Sequence, residues 1–310
     1  MRIVVHGQQA FGKAVLEKLL ERGENVVAVC CAPTKEGKPE DPLAELAREK
    51  GLPVHQPASW KTPEAVELMK SFDADVCMMA YVLLFVPQAV RDAPRFGTFQ
   101  YHPSLCPWHR GPSGINWPIA MGRKQTGLTI FWPDDGLDEG PIFLQKTCEI
   151  GPDETLGDVY FKKLFPMGVE AMLECLDLVK DGVILKHTQD LTAGSYESWF
   201  NKKVAQLDFS KPADEVYNWI RAGNPQPGSW TNINGMQLAI FDAATTEGSG
   251  KPGEILAISD DGVTIAAGDG RAILAKRVRP GKDAKVTGKE WAESAGVKVG
   301  DVCVRAEPEA

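Results

Sequence analysis

Residues 1–23 have the sequence MRIVVHGQQAFGKAVLEKLLERG, and this stretch decides the class of fold. The run from Arg2 to His6 is typical of a buried strand, and the loop Gly7–Gly12 follows it. Apolar side chains then recur at helical spacing as far as Gly23, a natural helix stop: Val15, Leu16, Leu19 and Leu20. A strand, a loop and a helix in this order are the first unit of an α/β sheet.

The same alternation continues along the chain. A helix is predicted from Asp41-Pro42, where Asp can cap and Pro can occupy the first turn, to Gly51. A longer helical pattern runs from Glu154 to Asp181 and should be kinked or divided by Pro166. Further strands are predicted over residues 25–31, 75–80, 96–101, 126–132 and 141–150. We therefore expect a Rossmann-like α/β domain whose sheet is mostly parallel.

The character of the chain changes beyond about residue 190. A short helix at 212–221 precedes β-like runs at 236–242, 252–258, 262–267 and 271–279. A length of 310 residues with 43% hydrophobic residues is enough for two cores. We predict a catalytic domain over residues 1–200 and a small β-rich domain, resembling an open (OB-like) barrel, over 201–310.

Composition excludes several classes of function. The net charge of −8 argues against broad adhesion to nucleic acid or anionic lipid, although residues 276–289 hold six basic residues against one acidic one. Seven cysteines without a C-x-x-C pair disfavour a disulfide framework and a structural zinc site. Residues 1–9 lack the regions of a signal peptide, and no apolar stretch is long enough for a membrane span. We expect a cytoplasmic protein with no membrane partner.

The first glycine-rich loop does not predict a dinucleotide site. Gly7–Gly12 lacks the G-x-G-x-x-G spacing that lets a pyrophosphate approach a helix, so no nicotinamide cofactor is expected. Gly12 is better explained by a tight turn between strand and helix.

Two blocks later in the chain carry groups suited to catalysis. Residues 100–114 have the sequence QYHPSLCPWHRGPSG, and residues 129–141 have the sequence TIFWPDDGLDEGP. Each begins at the end of a predicted strand and runs into a loop, and open α/β sheets bind ligands outside the carboxyl ends of their strands. We expect the blocks to meet in space. The spacing of their His and Asp residues matches no metal-ligand set, so no metal is expected.

These blocks resemble the signature of the folate-dependent formyltransferases, which include glycinamide ribonucleotide, methionyl-tRNA and sugar-amine formyltransferases. The resemblance rests on HPSL at 102–105, HRG at 109–111 and LDEGP at 137–141. Within the family, the amino-terminal hydrolase domain of 10-formyltetrahydrofolate dehydrogenase is most similar, on segments 35–38, 41–43, 101–104, 115–117 and 129–132. The later segments 218–221 and 227–230 resemble the carboxy-terminal domain that this enzyme shares with methionyl-tRNA formyltransferases.

The resemblance implies formyl transfer from 10-formyltetrahydrofolate, with His102 and Asp138 as catalytic residues. Formyl transfer passes through a tetrahedral oxyanion, which a protonated imidazole can stabilise. A carboxylate can hold the imidazolium charge and orient an attacking water or amine. Gln100 stands where family members usually carry an asparagine whose amide binds the formyl oxygen.

The resemblance also implies where the substrates bind. The folate site should be lined by an apolar loop and an acidic turn, which are Val82, Leu83, Leu84, Phe85 and Val86, then Asp134, Asp135, Gly136 and Leu137. Candidates for the acceptor side are Gln8, Ser104, His109 and Arg110. Cys106 lies within the signature, but nothing nearby marks an activated thiolate, so we expect it to serve packing.

The formyl acceptor stays open at this level. Water would yield tetrahydrofolate and formate, whereas a thiol carrier or an amine would take the formyl group. A methionyl-tRNA formyltransferase is a rival that the basic stretch 276–289 favours and the short, acidic loop 33–41 disfavours. Two further candidates are a sugar-amine N-formyltransferase and a non-catalytic folate-binding module.

Overall fold

Two compact units make up the chain, of which a computed structural model describes residues 1–305. The first unit contains residues 1–111, 127–148 and 161–196, and the second contains 112–126, 149–160 and the residues from 197 onward. The units interleave along the chain, since each is built from three separate segments. The single boundary expected near residue 200 stays a prediction.

The strands of the first sheet are β1 Arg2–Gly7, β2 Asn25–Cys30, β3 Val54–His55, β4 Val76–Ala80, β5 Thr98–His102, β6 Gln125–Phe131 and β7 Ile142–Glu149. Their order across the sheet is β3-β2-β1-β4-β5-β6-β7. The pairs from β3 to β5 are parallel, whereas β6 is antiparallel to β5. The predicted α/β class is confirmed, and the parallel order holds for the first five strands.

The helices are α1 Gln9–Glu21, α2 Pro42–Glu49, α3 Pro63–Ser71, α4 Gln88–Arg91, α5 Asn116–Ala120, α6 Leu156–Val159, α7 Phe165–Lys180, α8 Ala213–Ala222 and α9 Gly288–Ala295. A π-helical turn, Tyr160–Leu164, separates α6 from α7. Pro166 lies in the first turn of α7, where a missing N–H leaves no bond unmade. The helical pattern that we expected Pro166 to kink or divide consists of three successive segments. No helix within residues 1–305 has the length and apolar character that a membrane span requires.

The loop after β1 is held by one carboxylate. Asp41 caps α2 by accepting a hydrogen bond from the Leu43 N–H at 2.9 Å. Both of its carboxylate oxygens also lie 2.9 Å from the Gln9 nitrogen at the start of α1. Gly7 is required by packing, because a Cβ there would lie 2.3 Å from the Ala80 carbonyl oxygen on β4. Strand β1 is thus joined closely to its neighbours at the edge where ligands are expected.

The second unit contains an antiparallel sheet around its own core. Its strands are β8 Ser229–Ile233, β9 Met236–Glu247, β10 Ile255–Ser259, β11 Gly262–Ala266, β12 Arg271–Pro280 and β13 Val286–Thr287. The order is β10-β11-β12-β9-β8, with β13 paired to β12. Side chains from this sheet, α8 and α9 share one buried cluster. The β-rich character predicted for this region is confirmed.

Several elements were not predicted, and two of them carried a local signal. Helix α9 begins with a capping box in which the Thr287 and Glu290 side chains bond reciprocally to the backbone. Helix α3 begins at Pro63 after the Thr62 cap. Strand β8, by contrast, has the short sequence SWTNI, whose apolar alternation is too brief to identify a strand.

His6 is buried at the carboxyl end of β1. Its side chain is 2% exposed, its ring lies 4.7 Å from the Trp60 ring, and its Nδ1 has no hydrogen-bond partner within residues 1–305. Burial lowers the pKa of His6 to about 3. An unfolded histidine titrates near 6.5, so only the unfolded state takes up this proton as the pH falls below that value. Stability contributed by neutral His6 is complete above pH 6.5 and is lost as the pH falls toward 3.

We predict that His6→Phe makes stability less sensitive to acid, because phenylalanine keeps the contact with Trp60 and cannot be protonated. Between pH 7 and pH 5, the wild type should lose about 2 kcal/mol more free energy of unfolding than the variant. Urea denaturation at both pH values measures this difference. The exposed His187 provides the control His187→Gln, which should behave as the wild type. Equal losses in wild type and His6→Phe would contradict the prediction.

Candidate active site

The turn after β6 brings Asp138 to His102. Strands β5 and β6 are neighbours, with His102 opposite Thr129 and Gln100 opposite Phe131. The Asp138 Oδ2 atom lies 3.5 Å from Nδ1 of His102 and accepts a hydrogen bond from the Gly111 N–H at 2.9 Å. The two blocks expected to meet therefore do so, in the first unit.

The other nitrogen of His102 faces the backbone. Its Nε2 lies 3.2 Å from the carbonyl oxygen of His109, which can only accept, so the hydrogen belongs on Nε2. This assigns Nδ1, beside Asp138, as the nitrogen that can take or release a proton. His102 is 6% exposed, so its ring is held in place by packing as well as by these contacts.

A pocket opens beside this pair. The empty space within it amounts to about 590 Å³, part of which is open to solvent. Its walls come from the ends of β4, β5 and β6, and its lining residues are Met79, Val82, Leu83, Leu84, Phe85, Val86, Arg91, Gln100, Phe131, Pro133, Asp134, Gly136, Leu137 and Asp138. The structure thus gathers eight of the nine expected folate residues, together with Gln100 and Asp138, around one cavity.

The ninth residue, Asp135, has a different place. It faces outward with a side chain 70% exposed and pairs with Arg91 at 2.8 Å. The same guanidinium donates to the Val86 carbonyl oxygen, so Arg91 joins the two walls of the pocket. Sequence reasoning missed Arg91, since an arginine in a short helix has no local feature that marks it as a bridge.

None of the four acceptor-side candidates lines this pocket. The Ser104 hydroxyl is buried and donates to the Trp108 carbonyl oxygen at 2.8 Å. His109 and Arg110 are also buried, and Arg110 forms an ion pair with Glu139. Gln8 lies at the start of α1 and donates its backbone N–H to the Ala80 carbonyl oxygen. The buried positions of Ser104, His109 and Arg110 favour a role in shaping the loop.

No group of three or more His, Cys, Asp or Glu side chains is arranged to hold a metal ion within the described part of the chain.

Comparison with known proteins identifies the family. The formyl transferase pattern matches residues 1–176, and the pattern of the formyl transferase C-terminal domain matches residues 200–296. The chain belongs to the formyl transferase family. Membership confirms the predicted family and the expectation of an enzyme.

Relatives in this family fall into more than one class. The chain is 35% identical over 293 residues to the mitochondrial 10-formyltetrahydrofolate dehydrogenase of Mus musculus and 36% identical over 294 residues to the cytosolic enzyme of Xenopus laevis. These alignments cover 90% of the chain but 32% of either relative, so the chain spans about a third of the dehydrogenases' length. It is also 34% identical to a methionyl-tRNA formyltransferase of Trichlorobacter lovleyi, with 88% of each protein covered.

Solved structures of the family share the fold. HypX from Aquifex aeolicus, in complex with tetrahydrofolic acid, superposes with a TM-score of 0.67 at 21% identity, covering 94% of this chain and 47% of HypX. WlaRD, a sugar 3N-formyl transferase, superposes with a TM-score of 0.68 at 18% identity, covering 92% of this chain and 99% of WlaRD. At these identities, the likeness shows the fold alone.

Cys106 lies within the formyl transferase signature and is held by its loop. Its N–H donates to the Thr129 hydroxyl at 3.0 Å, and its carbonyl oxygen accepts from the Gln145 amide at 2.7 Å. Burial, and next the nearby Asp138 carboxylate, raise the pKa of the Cys106 thiol to about 12. At pH 8 roughly one molecule in ten thousand would carry the thiolate.

We predict that Cys106 of the native protein resists alkylation by iodoacetamide at pH 8, because the reactive thiolate is scarce and the thiol is buried. Peptide mass mapping measures the modification of each cysteine. The half-buried Cys148 provides the internal control and should react faster. Unfolding in urea should expose all seven thiols. Rapid labelling of native Cys106 would show that our interpretation of this residue as a packing residue is wrong.

Proposed function

We propose that this formyl transferase takes its formyl group from 10-formyltetrahydrofolate and uses His102, Asp138 and Gln100 for the chemistry. The observation that carries the proposal is that the pair of His102 and Asp138 lies at the wall of the pocket. Asp138 and Gln100 both line the cavity, while His102 lies behind Asp138 with Nδ1 toward the carboxylate. A formyl group entering the pocket would therefore meet an amide donor and a buried acid–base pair.

The proposed reaction uses these groups in sequence. Asp138 orients the acceptor, whose oxygen, sulfur or nitrogen attacks the formyl carbon. The Gln100 amide stabilises the oxyanion that forms, as a preorganised donor does in acyl transfer. When the intermediate collapses, the carbon–nitrogen bond of the folate breaks. Asp138, backed by Nδ1 of His102, takes the proton lost by the acceptor and delivers it to the departing nitrogen.

The pocket walls suit a pterin and its linked ring. Leu83, Phe85 and Leu137 have side chains about half exposed, at 56%, 49% and 54%. Exposed apolar groups at the mouth of a cavity favour a flat apolar ligand, which would cover them. Arg91 would hold the two walls at a fixed separation through Val86 and Asp135.

We predict that Arg91→Met weakens tetrahydrofolate binding about tenfold, or about 1.4 kcal/mol, because the walls lose their bridge and must be ordered on binding. Fluorescence quenching on titration with tetrahydrofolate measures the dissociation constant. The matched control is Arg95→Met, which removes an exposed guanidinium that lies 5.0 Å from the Phe96 ring. An unchanged dissociation constant in Arg91→Met would show that the bridge does not organise the folate site.

The catalytic roles are tested by His102→Ala and Asp138→Asn. Each change removes a positioned acid or base, so turnover should fall about a hundredfold to ten-thousandfold. Release of tetrahydrofolate from 10-formyltetrahydrofolate by the purified protein measures turnover. Asp283→Asn, in an exposed turn of the second unit, is the matched control and should retain wild-type turnover. Wild-type rates in both site variants would remove these residues from the mechanism.

We propose water, or a thiol carrier, as the acceptor. The first unit buries Ser104, His109 and Arg110, so these three polar side chains are not open to a large acceptor near the pair. Hydrolysis needs only a water molecule beside Asp138. Turnover in buffer alone would support a 10-formyltetrahydrofolate hydrolase, and turnover only with an added thiol would support a carrier. Folate binding without turnover, with every acceptor tried, would favour a non-catalytic module.

A methionyl-tRNA formyltransferase is the second candidate. It is supported by the methionyl-tRNA formyltransferase relative, whose alignment covers 88% of both proteins, and by the basic stretch 276–289. In that stretch, the Arg279 guanidinium lies 5.1 Å and the Lys285 Nζ 3.5 Å from the centre of the Phe241 ring. Burial, and then Arg279 and Arg277, lower the pKa of Lys285. Filter binding of tRNA with a steep dependence on salt would favour this candidate, and weak, salt-independent retention would exclude it.

We also propose a reducing, cytoplasmic location. None of the seven cysteines, all of which lie within residues 1–305, forms a disulfide, as expected for a reducing compartment. Fractionation of cells that express the protein tests the compartment.

A further inference from the structure

Residues 187–196, which we call the strap, contact two loops of the first unit: the turn that carries Asp138 and the loop that carries His109. The strap lies between the two segments matched to the family, which end at residue 176 and begin at residue 200. It starts on the edge strand β7, where His187 and Ile142 exchange backbone hydrogen bonds of 2.8 and 2.9 Å. Its later residues reach the loop 107–110.

One strap residue holds the Asp138 loop. The Gln189 amide nitrogen donates to the carbonyl oxygens of Asp138, at 3.0 Å, and Gly140, at 2.7 Å. These two bonds span the turn that carries the catalytic carboxylate. Gly140 itself has no room for a side chain, since a Cβ would lie 1.9 Å from the Trp132 carbonyl oxygen. The turn is therefore confined on both sides.

A second strap residue holds the His109 loop. The Ser195 hydroxyl accepts from the His109 N–H at 3.0 Å, and the Ser195 carbonyl oxygen accepts from the Arg110 N–H at 3.1 Å. The Ser195 N–H donates to the Pro107 carbonyl oxygen at 3.0 Å. The carbonyl that faces His102 thus belongs to a peptide segment fixed at three points.

Both loops need this support. His109 has φ of 55° and Asp138 has φ of 56°, a left-handed conformation that residues other than glycine rarely adopt. Such a conformation persists only where the surrounding structure enforces it, and it is common at functional sites. Here the strap supplies a hydrogen bond to the backbone of each of these residues.

Gln189 also has a property that packing alone does not explain. Its side chain is 6% exposed, and its Oε1 has no hydrogen-bond partner within residues 1–305. An apolar side chain would fill this space without leaving a buried polar atom unpaired, which is unfavourable. The contribution of this side chain is therefore the two hydrogen bonds that its amide nitrogen donates to the Asp138 loop.

We propose that the strap positions the catalytic pair, with Gln189 setting the Asp138 carboxylate and Ser195 setting the His109 carbonyl that orients His102. The proposal rests on the function proposed above for His102 and Asp138. Gln189 and Ser195 are positioning residues, since each acts through another group.

The test compares Gln189→Met and Ser195→Ala with wild type in the full chain. Methionine keeps the length of the side chain and removes the donors. Because a displacement of about 1 Å can reduce turnover about a hundredfold, kcat should fall roughly tenfold to a hundredfold. The dissociation constant for tetrahydrofolate should stay within about twofold, since neither residue lines the pocket. Ser195→Thr keeps the hydroxyl and should retain most of kcat.

The matched control is Gln56→Met. The Gln56 amide also bridges two acceptors, the Ala32 carbonyl oxygen at 3.0 Å and the Thr34 hydroxyl at 3.2 Å, in a different loop. This variant should keep wild-type kcat. If Gln189→Met and Ser195→Ala keep kcat within twofold, or lose kcat, folate binding and melting temperature together, the strap is structural only and the proposal is overturned.

A pH profile separates positioning from packing. In Gln189→Glu, the introduced carboxyl can donate a hydrogen bond while protonated but repels both carbonyl oxygens once ionised. Its kcat should therefore fall with rising pH in a step that the wild type lacks. The absence of this step would count against the proposal.

Failure of the proposed function would be seen separately. Wild-type turnover by His102→Ala and Asp138→Asn, or no turnover by the wild type with any acceptor, would overturn the function. The strap is then judged by ¹⁵N chemical shifts of the His102 ring. Ser195→Ala should change the Nε2–H tautomer signature and Ser195→Thr should preserve it, whereas unchanged shifts in Ser195→Ala would overturn the strap proposal.

Discussion

The hydrogen bond from the Gly111 N–H to the Asp138 carboxylate is the interaction on which the site depends. Asp138 is 8% exposed, and a buried carboxylate must exchange its hydration for donors from the protein. The Gly111 N–H, at 2.9 Å, takes the place of that water, and Nδ1 of His102, at 3.5 Å, can donate to the carboxylate only when it carries a proton. Because Gly111 and Asp138 belong to loops that follow different strands, the same contact joins β5 to β6 at the pocket. The same hydrogen bond therefore both stabilises the Asp138 charge and holds the two loops together.

At the pocket, by contrast, apolar side chains that would be more stable if buried remain exposed to water. Leu83 and Phe85 remain about half exposed at its mouth, and Arg91 links their loop to the turn at Asp135. Holding apolar groups open to water is unfavourable by itself. A ligand that covers them recovers that free energy, so a stiff, open pocket contributes to affinity through its preorganisation.

Much of the fold was predictable because its signals are local. Apolar runs, helical spacing, the Asp41-Pro42 cap and the Pro166 break are properties of adjacent residues, and the elements they predict are present. The antiparallel direction of β6 was not predicted, since periodicity carries no information about strand direction. Helix α9 was missed although its Thr287 capping box was visible in the sequence.

By itself, the sequence determined the α/β class, the β-rich second part, and the placement of His102 at the end of one strand and of Asp138 in the turn after another. The tertiary structure alone decided which residues support that pair. Gln189 is 51 residues from Asp138, Ser195 is 86 from His109, and Arg91 is 44 from Asp135. Most of these bonds end on backbone atoms, which every residue possesses, so no side-chain pattern in the sequence marks the partner. Such contacts exist only once the chain has folded.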